Sequence, residues 1–115
     1  MSPELIDLGA MRESAQSACG LMKALSNPDR LLLLCELAQG ERNVGELETE
    51  LGILQPTLSQ QLAVLREAEL VETRREGKSI YYRIASEPAV AVMEVLYDQF
   101  CVPVKPARAS RRSRP

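Results

Sequence analysis

The chain has 115 residues, 45% of them hydrophobic, a net charge of −2, three cysteines and no histidine. That length allows one modest core, of a size that subunit pairing often stabilises further. No apolar run approaches the roughly 20 residues that span a bilayer, and the opening MSPELIDLGAMRES lacks a basic start followed by an apolar stretch, so the expected location is the cytoplasm.

Leu8, Met11, Ala15, Ala18, Met22 and Leu25 recur every three or four residues, which predicts a first helix whose apolar stripe packs partly on a partner subunit. Ser26 and Asn27 before Pro28 mark a second helix start, running to about Ala38 and stopped by Gly40. Asn43 with Glu46 three residues later has the form of a capping box and opens a short helix that ends at Leu51-Gly52. A fourth helix begins at Leu54 or Gln55 with Pro56 in its first turn, where a missing N–H is harmless. Leu58, Leu62 and Leu65 give it an apolar stripe, and with the third helix it forms a helix-turn-helix.

That stripe leaves Thr57, Ser59, Gln60 and Gln61 pointing elsewhere, with Gln55 at the boundary. Amide and hydroxyl side chains at the start of such a helix are candidates to read base edges in the major groove of double-stranded DNA. A solvated polar face would carry the same residues. The following segment favours DNA: Val71 to Arg75 and Ser79 to Arg83 have strand composition and flank Glu76-Gly77-Lys78, so Arg74, Arg75, Lys78 and Ser79 lie where phosphates would pass. Ser86-Glu87-Pro88 opens a last helix, and its face of Val90, Met93, Leu96, Tyr97 and Phe100 reads as core plus dimer interface.

The expectation is a mainly α winged helix-turn-helix, five helices plus a β-hairpin wing, paired as a homodimer through the first and last helices. Residues 1–102 form the DNA-binding and dimerisation domain, and 103–115 a disordered basic tail. Charge is segregated accordingly: residues 1–104 hold nine Lys/Arg against sixteen Asp/Glu, and the other five cations lie in the tail. Phosphate binding depends on such local patches rather than on net charge. The expected DNA target is an inverted repeat with half-sites about one helical turn apart.

A zinc site normally assembles four Cys or His ligands, whereas this chain has no imidazole and no close cysteine pair, so no metal or other cofactor is expected. Enzymes are disfavoured by the lack of a histidine base, a Cys-x-x-Cys pair and a Gly-rich phosphate loop. By composition alone Cys35, after four leucines, reads equally as a small core hydrophobe.

The segments LMKALSNPDRLLLLCEL (21–37), RNVGELETELGILQPTLSQQL (42–62) and LVETRREGKSIYYRI (70–84) resemble the ArsR family of bacterial winged-helix repressors, over roughly residues 18–101. Many relatives have histidine where this chain has Gln61, which bears on base preference. Arsenic- and cadmium-type members carry a Cys-x-Cys pair where Asn43-Val44-Gly45 stands, and zinc-type members use an imidazole on the last helix, where only Glu94 and Asp98 are offered. With Cys35 in LLLLCEL and Cys101 in YDQFC, the chain is similar instead to the dithiol branch of the BigR, SqrR and HlyU type. That resemblance implies a repressor that senses reactive sulfur or oxidants: Cys35 and Cys101 become bridged by a disulfide or polysulfide, and operator DNA is released. The resemblance gives Cys19 no sensing role. The alternatives are an ArsR-type repressor answering a metal or small ligand, and a derepressor that displaces another DNA-bound protein.

Overall fold

A computed structural model of the chain describes residues 7–100; Cys101 and the basic tail lie outside the described residues. The order is α1 (Leu8–Leu25), α2 (Pro28–Leu37), β1 (Arg42–Asn43), α3 (Val44–Leu51), α4 (Thr57–Glu67), β2 (Val71–Glu76), β3 (Ser79–Ile84) and α5 (Glu87–Phe100). Five helices and the wing are as the sequence predicts. The wing, however, has a third strand: β1 pairs antiparallel with β3, giving the order β1-β3-β2. Two residues give no period-2 signal, so pairing alone creates this strand.

Local chemistry sets most boundaries. Asn27 caps α2 by accepting from the Arg30 N–H at 3.0 Å. Asn43 and Glu46 form the full capping box of α3, with bonds of 2.8 and 2.9 Å. Gly52, at φ 70°, ends α3 in the left-handed conformation that glycine adopts without a Cβ clash. Ser86 caps α5 by accepting from the Ala89 N–H. At α4 the sequence expectation shifts: Pro56 is the capping residue just outside the helix, joined to Gln55 by a cis peptide bond. Gln55 supplies the cap instead, its Oε1 accepting from the Ser59 N–H at 3.1 Å.

The C-terminus of α4 makes a Schellman turn. The Leu70 N–H donates to the Leu65 carbonyl and the Glu69 N–H to that of Arg66, each at 3.0 Å, while buried Leu65 and Leu70 supply the apolar part of the motif. Glu69 holds the left-handed position at φ 62°. Since a Cβ there costs on the order of 1 kcal/mol, Glu69→Gly is expected to raise thermal stability by up to about that much, read from the unfolding midpoint. A lowered midpoint would mean that the Glu69 side chain contributes more than its backbone strain costs.

Leu33, Leu34, Leu47, Leu58, Leu62 and Leu65 are the large, fully buried side chains, so α2, α3 and α4 share one core. Leu70, Val71, Ala89 and Met93 extend it to the wing and α5. By contrast α1 buries only Ala24 and Leu25, and its stripe residues Leu8, Met11 and Met22 stay exposed. No helix among the described residues is long and apolar enough to cross a membrane.

Candidate functional site

Packing of Leu58, Leu62 and Leu65 fixes the roll of α4 and therefore what its other faces present. Thr57 is half-buried and Gln60 exposed. Ser59 donates its hydroxyl to Gln55 Oε1 at 2.7 Å, so these two expected base readers are held by one another. Ser59, Ala63 and Arg66 line a groove of about 550 Å³ with Val44 and Tyr82, on the side of α4 that faces the wing. Arg66 was not among the sequence candidates, although, seven residues after Ser59 on one helix, it shares that face by periodicity.

Gln61 is turned inward. Its Oε1 accepts from Arg30 Nη1 at 2.9 Å, and the same guanidinium donates to the carbonyls of Ala24 at 2.7 Å and Lys23 at 3.1 Å. Arg30 thus neutralises the last carbonyls of α1, where a cation complements the helix dipole, and ties α1 to α4. Sequence reading missed Arg30; the available signal was a cation in the first turn of the helix that directly follows α1.

Strand register separates the wing cations. Arg74 lies opposite Tyr81, and Arg75 opposite Ile80, so the two arginines occupy opposite faces of the sheet. The face of Arg75 and Ile80 is the one whose inner residues, Val71, Tyr82 and Ile84, pack on the core. Gly77 and Lys78 make a two-residue turn, with Gly77 at φ 63°. Lys78 is exposed at its tip, beside half-buried Ser79. Arg74 is engaged within the protein. Its Nε lies 2.9 Å from both Glu41 carboxylate oxygens, Nη2 lies 2.8 Å from Oε1, and the guanidinium stacks 4.7 Å from the Tyr81 centroid. This guanidinium holds the Glu41 carboxyl below the usual carboxylate range. The pair's contribution is therefore present at neutral pH and lost as pH falls through that lowered value.

A second candidate site lies between α2 and α5. Cys35 is half-buried there and lines a groove of about 620 Å³ with Gln39, Met93, Glu94, Tyr97 and Asp98. Tyr97 and Asp98 precede Cys101 by four and three residues in the sequence. Cys19 lies on the exposed part of α1. Among the described residues no three His, Cys, Asp or Glu side chains converge as a metal site would require.

Residues 27–73 match the family described as "Bacterial regulatory protein, arsR family". The "Biofilm growth-associated repressor" of Agrobacterium fabrum is 56% identical over 98 residues, 85% of this chain and 84% of that protein. The chain belongs to the ArsR family. Its fold agrees: the solved transcriptional repressor BigR from Xylella fastidiosa superposes with a TM-score of 0.77 at 48% identity, covering 85% of this chain and all of that one. A "homodimeric winged helix-turn-helix DNA-binding domain" from Mycobacterium bovis, described as a possible ArsR-family regulator, has a TM-score of 0.68 at 37% identity, covering 77% of this chain and 82% of that one. The segment matched to the ArsR family spans α2 through α4 and enters β2, so it contains the helix-turn-helix and Cys35 but not α5.

Proposed function

We propose that this ArsR-family protein is a homodimeric, DNA-binding transcriptional repressor that senses reactive sulfur or oxidants through Cys35 and Cys101. Similarity to the two repressors supports the DNA-binding role. Polar Gln60 and Ser59 on α4 would read bases, while Arg75 and Lys78 on the wing would meet phosphate. The observation that carries the sensing role is the position of Cys35, half-buried against the last turns of the helix that leads in sequence to Cys101.

The bridge forms from two thiols and an external oxidant. Two glutathione persulfides transfer one sulfur each, one to each cysteine thiol, and leave as two glutathiones; the two protein persulfides then condense to a Cys35–Cys101 trisulfide, releasing hydrogen sulfide. With hydrogen peroxide, one thiol becomes a sulfenic acid with loss of water, and the other displaces a second water to give a plain disulfide. A disulfide requires Cα atoms about 4.4 to 6.8 Å apart, and the extra sulfur spans a wider gap.

Peptide mass spectrometry of reduced protein after each treatment tests this. The expected product is a Cys35–Cys101 peptide pair, one sulfur heavier after persulfide than after peroxide. If neither oxidant links the pair, the thiol reading is wrong, and Cys35 acts as a packing residue beside a groove that takes another ligand.

A further inference from the structure

Arg74 and Glu41 are separated by 33 positions in the chain, and their ion pair spans the sheet from the edge strand β2 to the residue before the opposite edge strand β1, reinforcing the backbone pairing of β1 with β3. Arg74 leaves β2, stacks over Tyr81 of the central strand β3, and reaches the residue immediately before β1. From β1 the chain passes into α3 without an intervening loop. Arg42, next to Glu41, pairs with Glu36 of α2 at 3.0 Å, so that end of the strap is anchored to the core helices as well. The Nε and Nη2 edge of Arg74, the edge suited to a two-pronged phosphate contact, is occupied by the Glu41 carboxylate, and Nη1 lies 3.3 Å from Glu76.

We infer that Arg74 is a positioning residue which straps the wing to the helix-turn-helix through Glu41, and that it does not contact DNA phosphate. The phosphate contacts of the wing then fall to Arg75 and Lys78. For Arg75 and Lys78 no ion pair is found among the described residues; they stand on the other face and at the tip. The strap sets the angle at which that tip leaves the domain, so its loss weakens DNA binding by misplacing Arg75 and Lys78 rather than by removing a charge from the interface.

Salt dependence separates these two effects, because each phosphate contact contributes about 0.9 to the slope of log affinity against log salt. The full-length protein would be titrated by fluorescence anisotropy against one labelled duplex, selected from a random library by the wild-type protein. Arg75→Ala and Lys78→Ala are expected to flatten the slope by about one contact each. Arg74→Ala should weaken binding on the order of threefold and flatten the slope by well under one contact, since both wing cations remain. Glu41→Gln, which keeps the side-chain shape, should weaken binding by the same factor. The double variant should be no worse than either single one, because both remove one interaction. Arg74→Lys should fail to restore affinity, since an ammonium cannot reproduce the planar fork on a carboxylate.

The contrary pattern is equally specific. A slope flattened by about one contact for Arg74→Ala and restored by Arg74→Lys, or tighter binding by Glu41→Gln, would make Arg74 a phosphate ligand for which Glu41 competes. Wild-type affinity in both single variants would show that the strap does not position the wing. Either result overturns the inference.

Discussion

Cys35→Ser protein is expected to remain on its operator when persulfide is added, whereas the wild-type protein should lose about 5- to 150-fold in affinity, the usual range of an allosteric coupling. Serine cannot take up sulfur or form an S–S bridge, yet it is close to cysteine in size. The site is expected to accept the change, because Cys35 is only half-buried at a groove, while its neighbours Leu33 and Leu34 are fully buried. Affinity of the reduced variant should therefore match that of reduced wild type, so a lost response can be assigned to chemistry rather than to folding. Cys19→Ser is the matched control. Cys19 is exposed on α1, outside the groove that Cys35 lines, and its substitution should leave the response intact. Anisotropy at fixed ionic strength reads both variants, since affinities at different salt concentrations are not comparable. Full release of Cys35→Ser by persulfide would transfer sensing to another group on the same scaffold.

What the sequence disclosed depended on how far apart the cooperating residues lie. Helix starts at Asn27, Asn43 and Ser86 were legible because a cap and its target N–H are three residues apart, and Leu58, Leu62 and Leu65 because helical periodicity is local. The contacts of Gln61 with Arg30 and of Arg74 with Glu41 span 31 and 33 positions, and nothing local announces them. Those two contacts bear most on which of the expected DNA-facing side chains are left without a partner among the described residues. Gln61 has the polarity of a base reader but hydrogen-bonds within the protein, and Arg74 has the charge of a phosphate ligand but carries a carboxylate. Adjacent arginines in a sequence look equivalent, whereas in a strand they must face opposite ways. The third strand was hidden for a related reason: Arg42 and Asn43 become strand only because Tyr81 and Tyr82 lie beside them.

The other large effect is expected from Met11→Glu combined with Val95→Glu, which should convert the protein to a monomer and reduce operator affinity by about 100- to 10,000-fold, the gain that linking two binding units provides. α1 has 18 residues, and from Leu8 to Gly20 every one is exposed. Most helical stability in proteins comes from packing of an apolar face, so the exposed stripe of α1 is expected to be covered by quaternary packing. Its exposed Leu8, Met11 and Met22, with Val95 and Phe100 of α5, are apolar side chains on the two helices that the sequence assigns to pairing. In the proposed homodimer a second copy would supply this cover; the similar Mycobacterium bovis domain is described as homodimeric. Arg30 gives this face a route to the DNA surface, because one guanidinium holds the end of α1 and Gln61 of α4 together. Pairing through α1 would therefore set the spacing of the two α4 helices, which must match half-sites about one helical turn apart. Both substituted residues are at least half exposed in the single chain, at 50% and 59%, so the protomer core is left alone. Sedimentation would report the mass, and anisotropy the affinity. A monomer that binds a single duplex as tightly as wild type would refute the two-fold reading, and a dimer that survives both charges would move the interface off α1 and α5.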